Sequence, residues 1–240
     1  MIRSGTRFFE LISVVFLCGL ILFAILIQVI WLLEGAGVGN LSAWINYGQL
    51  AASLFVALVA CYLYFSKGDR LYTIAAFACA GWFMSNTFWY LYTLLIDRNL
   101  VYPCIGDAGF LGFMLLMTAA IGLTYRAQAR PKSAVAAYVI VLPGLLWLWL
   151  DPGSAGAVSL AYFLCVAVTA SSAVQHYGDR DRLVFASVLL YCATMLTYTL
   201  RETYFSGDLA FTLVGQLAIV SFSVLGLGLL GRAGRGSDHP

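Results

Sequence analysis

The chain has 240 residues, of which 62% are hydrophobic and only 10% are charged. A soluble domain of this size could not shield so much apolar surface from water, so the composition excludes an ordinary soluble enzyme or binding domain. The net charge of +2 is too small to indicate a nucleic-acid partner.

Apolar segments follow one another along almost the whole chain, and most have the length of a bilayer crossing. A helical span needs roughly 20 apolar residues, and lipid permits only helices or closed barrels. The run at 11–33 does not alternate as barrel strands do. We predict an all-α bundle of eight transmembrane helices, at 9–33, 45–65, 71–96, 104–125, 134–150, 155–175, 182–203 and 208–231. Residues 1–231 would form one domain, followed by a short polar cytoplasmic tail at 232–240.

Positive charges separate between the two sides of this arrangement. With both termini on one side, that side receives 11 of the 13 Lys and Arg residues, and the other receives only Arg98 and Arg201. The positive-inside rule predicts such a bias for short loops. We therefore predict a multi-pass inner-membrane protein with both termini in the cytoplasm. The loops near 34–44, 97–103, 151–154 and 204–207 would face outward.

The second half of the chain repeats features of the first. Gly106-Asp107-Ala108-Gly109-Phe110 opens the fourth span, and Gly207-Asp208-Leu209-Ala210-Phe211 opens the eighth. Each follows a helix end rich in tyrosine. Because the paired spans run in the same direction, the pattern favours a parallel internal repeat of four helices plus four. The alternative is chance similarity between apolar helices.

Polar residues in the outward half of the bundle are candidates for a ligand site, since ionisable side chains at membrane depth usually mark a function or a tight pair. Residues three or four apart share a helix face. This spacing groups Trp82, Asn86, Tyr90 and Thr93 on the third span, and Thr194, Thr197, Arg201 and Tyr204 on the seventh. We predict a pocket walled by aromatic residues that suits a small ligand. Its candidate residues are Asn86, Tyr90, Asp107, Tyr198, Arg201, Glu202 and Asp208.

Simpler roles compete with that interpretation. Asp107 and Asp208 stand where a carboxylate caps a helix start and favours its dipole. Asn86 could make an ordinary interhelical hydrogen bond, and tyrosines near the membrane surface could belong to an aromatic belt. We further predict that Asp107 pairs with Arg201.

Metal and cofactor chemistry has no support in the sequence. The six cysteines are scattered without a C-x-x-C pair, and the two histidines lie in a predicted inner loop and in the tail. We therefore predict no metal and no cofactor. Phosphate-loop, zinc-protease and nucleophile-elbow motifs are missing as well. Enzyme activity stays open, and we favour a non-enzymatic function.

One segment carries a family resemblance. Residues 81–122 read GWFMSNTFWYLYTLLIDRNLVYPCIGDAGFLGFMLLMTAAIG. This segment, with the eight-helix layout, resembles the N-terminal membrane sensor modules of bacterial and archaeal signalling proteins that carry GGDEF-type cyclases, EAL-type phosphodiesterases or histidine kinases. Their pattern is Tyr-Pro-Ser-x-Ala-Asp-x-x-Tyr-Leu. Four positions match it, namely Tyr102, Pro103, Asp107 and Leu111, and three are replaced, by Cys104, Gly106 and Phe110.

The resemblance implies a sensory or regulatory membrane module that binds a small or lipid ligand and acts through a partner. In the family the module feeds a cytoplasmic output domain, whereas only the polar tail follows Gly231 here. We therefore expect output to pass to a protein partner, with membrane lipids as the other contacts. The alternatives are a small transporter, an intramembrane lipid-modifying enzyme that uses acidic residues, and a structural subunit of a membrane complex.

Overall fold

A computed structural model of the chain describes residues 2–34, 41–96, 102–127, 135, 137–204 and 208–235. These residues form eight α-helices and two short 3-10 turns, and they contain no strand. The helices are α1 (Ile2–Glu34), α2 (Leu41–Lys67), α3 (Arg70–Ile96), α4 (Gly106–Thr124), α5 (Val141–Leu150), α6 (Ser154–Gln175), α7 (Arg182–Tyr204) and α8 (Asp208–Gly234). The 3-10 turns are Ala137–Ile140, before α5, and Asp179–Asp181, before α7. The predicted all-α fold with eight helices is confirmed.

Six of the described helices are long and apolar enough to cross a membrane, which makes the chain a multi-pass membrane protein. Helix α3 has 27 residues, but the Trp, Tyr, Ser and Asn residues of its second half lower its hydropathy. Helix α5 has ten residues, about 15 Å at 1.5 Å per residue, against a hydrocarbon core of about 30 Å. It begins at Val141 rather than at 134. Full crossing by α3 and α5 therefore stays a prediction.

Six helices form a closed ring, in which each packs against its two neighbours in the order α2, α3, α4, α6, α7, α8 and back to α2. Helix α1 packs outside this ring against α8 and α2, and α5 packs outside it against α6. Small residues allow neighbouring helices to come closest to each other. A side chain at Gly109 would collide with Ser85 Oγ and Gly81 O, so α3 and α4 meet backbone to backbone.

The middle of the ring is filled by an aromatic layer, which consists of Trp82, Phe110, Phe113, Tyr191 and Phe222. The Trp82 and Phe222 ring centroids are 4.7 Å apart, and those of Phe113 and Tyr191 are 4.1 Å apart. Phe113 also meets Phe222 edge to face at 5.2 Å. Because α3, α4, α7 and α8 all contribute, opposite sides of the ring touch through this layer. Tilted and edge-to-face contacts of this kind add to the stability gained from burial.

Ionic contacts close one end of the ring, which we call the inner end after the predicted topology. The other end, which carries Tyr102 to Ile105, is the outer end. At the inner end Arg232 Nη2 lies 2.9 Å from Asp69 Oδ2, and Arg232 Nη1 contacts Asp181 Oδ2. Nη1 also donates to the Tyr125 hydroxyl at 3.3 Å. We call Arg232, Asp69, Asp181 and Tyr125 the arginine clamp.

The arginine clamp joins four parts of the chain. Asp69 accepts a hydrogen bond from Leu71 N at 2.9 Å and so caps α3, while Asp181 directly precedes α7. Tyr125 ends α4, and Arg232 lies in the last turn of α8. Burial raises the pKa of Tyr125, so its hydroxyl keeps its proton beside the aspartates. The inner ends of α3, α4, α7 and α8 are thereby held by one guanidinium group.

We expect Arg232→Met to lower the free energy of unfolding by about 3 kcal/mol, because it removes the guanidinium group that two partly or fully buried carboxylates share and leaves Asp181 only its contact with Arg235 at 3.0 Å. Thermal unfolding in detergent would measure the loss. Arg126→Met is the matched control, because Arg126 is exposed at the same end. The combination Arg232→Met with Asp69→Asn and Asp181→Asn should recover part of the loss. A control variant as unstable as Arg232→Met would contradict the role of the arginine clamp.

The predicted topology has a direct test on two exposed positions, Gly153 and Arg126. In a cysteine-free background, an impermeant maleimide should label Gly153→Cys in intact cells, because the loop at 151–154 is predicted to face outward. It should label Arg126→Cys only after the membrane is opened. The reverse pattern would invert the assignment of the inner and outer ends.

Candidate functional site

The carboxyl group of Asp107 is the centre of the outer end. Asp107 is only 3% exposed and lies in the first turn of α4. Its Oδ1 accepts hydrogen bonds from the Tyr162 hydroxyl at 2.6 Å and from the Tyr198 hydroxyl at 3.2 Å. Its Oδ2 accepts one from Cys104 N at 2.6 Å. One oxygen thus supports the start of α4, as the capping interpretation expected, and the other joins α4 to α6 and α7.

The tyrosines around Asp107 form a continuous group with a third tyrosine. The ring of Tyr198 meets those of Tyr162 and Phe110 edge to face, with centroids 5.7 and 6.0 Å apart. It also meets the ring of Tyr102 at 6.3 Å. Tyr102 and Ser159 share a hydrogen bond of 3.0 Å between their hydroxyl groups. Together, Asp107, Tyr102, Ser159, Tyr162 and Tyr198 form what we call the tyrosine cluster.

Cys104 stands at the edge of the tyrosine cluster, where the family pattern has a serine. Its backbone amide donates to Asp107 Oδ2, and its thiol lies beside the same carboxyl group. Burial raises the pKa of the Cys104 thiol, and the nearby carboxyl group of Asp107 raises it further. The thiol therefore stays protonated at neutral pH, which does not suit a nucleophile or a metal ligand.

Asn86 and Tyr90, which we predicted to share one site, lie in different surroundings. Asn86 is 5% exposed and lies one turn from Trp82, which belongs to the aromatic layer. Tyr90 donates instead to the Tyr47 hydroxyl at 2.8 Å, and the two rings meet edge to face at 5.6 Å. Tyr47 is about half exposed. The structure therefore places Tyr90 on the outer rim between α2 and α3, apart from the tyrosine cluster, and its part in a ligand site stays a prediction.

Three further predicted residues lie near the outer ends of α7 and α8. Arg201 is half-buried, one turn beyond Tyr198 on α7. Glu202 and Asp208 lie on the same two helices, and their side chains fall outside the described part of the structure. The roles predicted for Glu202 and Asp208 stay predictions.

The predicted pairing of Asp107 with Arg201 is not what the described contacts show. The carboxyl group of Asp107 takes its hydrogen bonds from two phenols and one backbone amide. Neutral donors suit a carboxyl group that is removed from water, because each satisfies a lone pair without the desolvation cost of a second charge.

Two features of the tyrosine cluster were missed by the sequence analysis. Tyr162 and Ser159 lie on α6, a helix of mostly small and apolar residues. The usable signal was Tyr162 itself, because a tyrosine buried in an apolar helix needs a partner for its hydroxyl group. Which group accepts the hydrogen bond of Tyr162 depends on the packing of α6 beside α4. That packing belongs to the tertiary structure and cannot be read from the sequence of α6.

The described groups at the outer end offer hydrogen bonding by phenols around one buried carboxyl group. All three donors to Asp107 are in place, so its carboxyl group serves as an anchor for three helices. Among the described residues, no group of three or more His, Cys, Asp and Glu side chains is arranged to hold a metal ion. What the cluster offers to a ligand is phenol groups, above the aromatic layer.

A double-mutant cycle separates the two pairings considered for Asp107. We expect Asp107→Asn and Tyr162→Phe to be coupled by about 1–2 kcal/mol in unfolding free energy, because the two groups share a buried hydrogen bond. Asp107→Asn and Arg201→Gln should add within about 0.5 kcal/mol. Tyr138→Phe, at an exposed tyrosine, is the control for removal of a hydroxyl group. Strong coupling to Arg201 would restore the ion pair.

Comparisons of the chain with protein-family models, with curated proteins and with solved structures found no match. The likeness to membrane sensor modules therefore stays a prediction that depends on the segment 81–122. The function has to be argued from the arrangement of the helices and from the contacts at the two ends of the ring.

Proposed function

We propose that this membrane protein is a sensory or regulatory module that binds a small or lipid ligand from the outer side and acts through a protein partner. The observation that carries the proposal is the junction of α4, α6 and α7 at Asp107, which depends on two phenol hydroxyl groups. A ligand that competes for either phenol changes how these three helices meet.

The two hydrogen bonds of Asp107 Oδ1 differ in strength. The bond from Tyr162 is 2.6 Å long and fully buried, whereas the bond from Tyr198 is 3.2 Å long and partly buried. Tyr198 also contacts Phe110 in the aromatic layer. The longer and more accessible bond is the one that a ligand would replace at lower cost. Tyr198 is therefore the residue through which we expect binding to be sensed.

A route from Tyr198 to the inner end runs along α7 and α8. These two helices pack closely along their lengths, and Ser221 on α8 donates to Ser187 O on α7 at 3.0 Å. The inner end of α8 carries Arg232, which the arginine clamp connects to the loops before α3 and α7. A shift of α7 would thus alter the inner surface, where a cytoplasmic partner could detect it.

The aromatic layer favours binding over transport. Rings from α3, α4, α7 and α8 touch across the middle of the ring. A solute entering from the outer end would have to displace them to pass. A ligand that stops above the layer needs no such displacement.

We also infer that the ring consists of two related halves, α1 to α4 and α5 to α8. Exchanging the halves maps the packing of α2 against α3 onto that of α6 against α7, and α3 against α4 onto α7 against α8. Helices α1 and α5, both outside the ring, correspond. Moreover, Asp-Arg-Leu precedes or opens α3 at Asp69 and α7 at Asp181. These correspondences support a duplication.

Native mass spectrometry of the full chain, extracted gently from its host membranes, tests the proposal. We expect a bound molecule of defined mass on the native protein, its loss from Tyr198→Phe, and its retention by the control Tyr138→Phe. We also expect a co-purifying protein whose amount falls in Arg232→Met. An identical spectrum for the native protein and Tyr198→Phe would contradict the proposed site, and a protein that never carries a partner would contradict the proposed output.

A further inference from the structure

An open groove lies on the side of the bundle between α1 and α8, near the inner end. Its volume is about 400 Å³, which falls within the usual range of ligand pockets, about 300–1,000 Å³. Both helices are long and apolar enough to cross the membrane, and α1 packs outside the ring. The groove therefore opens toward lipid. It is lined by Glu10, Leu11, Val14, Leu227, Leu230 and Gly231.

The groove is apolar at depth and charged at its inner mouth. Helix α1 begins at the inner end and α8 ends there, so Val14 lies one helical turn, about 6 Å, deeper in the membrane than Glu10. On α8, Leu227 lies deeper than Gly231 by the same distance. A molecule in the groove would thus meet a carboxyl group near the membrane surface and apolar side chains below it.

The carboxyl group of Glu10 has a place for a cation. Glu10 is half-buried and lies two residues after Phe8, where the apolar part of α1 begins. No hydrogen bond or ion pair connects its side chain to the described part of the chain. Ionisable side chains in a membrane-spanning helix usually pair with an opposite charge. A bound ammonium group with N–H donors would supply both the charge and the hydrogen bonds.

A guanidinium group lies at the same mouth of the groove. Arg235 Nη1 is 4.0 Å from the point where a side chain at Gly231 would begin. Arg235 Nη2 lies 3.0 Å from Asp181 Oδ1, and about half of the arginine side chain is exposed. The mouth therefore offers a carboxylate from α1 and a guanidinium from α8. A zwitterionic headgroup, with an ammonium group and a phosphate, complements both charges.

We propose that this groove binds a phospholipid with a primary ammonium headgroup, of the phosphatidylethanolamine type, from the leaflet at the inner end. The ammonium group donates to the Glu10 carboxylate, the phosphate accepts from Arg235, and an acyl chain lies along the apolar walls. A partner helix fits less well, because it is about 10–12 Å across and the groove lies between two helices that pack directly on each other. The site is at the opposite end from the tyrosine cluster, so it goes beyond the proposed function and does not depend on it.

Native mass spectrometry tests the choice of headgroup. The full chain is placed in nanodiscs with equal parts of dioleoyl phosphatidylethanolamine and dioleoyl phosphatidylcholine, which differ only in the methylation of the headgroup nitrogen. Both ammonium groups are positive, but only the primary one has N–H donors. We expect the released protein to retain phosphatidylethanolamine about tenfold better, equivalent to about 1.4 kcal/mol, close to the contribution of one hydrogen bond to a charged group. Equal retention of the two lipids would overturn the proposal.

Glu10→Gln tests the carboxylate. It keeps the size of the side chain and should remove the preference between the two lipids. In nanodiscs of phosphatidylcholine alone its melting temperature should be unchanged, since no contact within the described chain is lost. Asp151→Asn, which removes a half-buried carboxyl group at the outer end, is the control and should keep the preference. A preference that survives in Glu10→Gln would overturn the proposal. So would a lowered melting temperature of this variant in phosphatidylcholine, which would give the carboxylate a partner in the chain.

Gly231→Leu tests the groove itself. A Cβ atom at Gly231 would meet only Arg235 Nη1, at an ordinary contact distance, so leucine fits there and fills the groove. We expect it to lose the retained phosphatidylethanolamine. Gly122→Leu is the matched control, because Gly122 is exposed near the inner end of α4 and has nothing within 4 Å of an added Cβ. Full retention by Gly231→Leu would overturn the proposal.

Other occupants give different results. Stronger retention of the anionic dioleoyl phosphatidylglycerol than of phosphatidylethanolamine would overturn the proposal, because the guanidinium group alone would then select the lipid. A co-purifying membrane protein that is lost from Glu10→Gln, with equal retention of the two zwitterionic lipids, would assign the groove to a partner helix.

Discussion

Lipid offers no hydrogen-bond partner, so a polar side chain inside the bundle has to be satisfied by the bundle itself or by something bound in it. The ring of six helices meets this constraint at its two ends. Asp107 takes three neutral donors at the outer end, and Arg232 takes two carboxylates at the inner end. Between them the aromatic layer needs few partners. The polar contacts thus decide which helices are neighbours, while apolar packing alone would tolerate several arrangements.

Some buried polar groups among the described residues have no such partner in the chain, among them Asn86 Nδ2, Thr87 Oγ1 and Gln216 Nε2. Other hydroxyl groups in the ring donate to carbonyl groups of the preceding helical turn, as those of Ser53 and Thr199 do, or meet across helices, as those of Thr118 and Thr169 do.

The sequence was sufficient for the class of fold and for part of the site. Composition and span length indicated the helical membrane bundle. Asp107 and Tyr198, which do meet, were both among the predicted site residues. Helical periodicity could not assign Asn86 and Tyr90 to different surroundings, because Tyr90 leans toward α2. The arginine clamp was missed because Asp69 and Asp181 lie in loops full of basic residues, where the charges look solvated. Its pairs are 163 and 51 residues apart, so only the tertiary fold brings them together.

The same separation has a consequence for how the chain is made. Ribosomes add roughly 5–20 residues per second, so Arg232 emerges about 10–30 s after Asp69, which it finally neutralises across 163 positions. During that interval the aspartates must stay in contact with water or with lipid headgroups at the membrane surface. The earlier helices can insert into the membrane and pair with one another during this time. The loops before α3 and α7 reach their final contacts only when Arg232 is present. The bundle is therefore closed late in synthesis, by an arginine in the last turn of α8. A ribosome that stalls before that codon leaves Asp69 and Asp181 without the guanidinium group that joins them, which is an accessible mark of an unfinished chain.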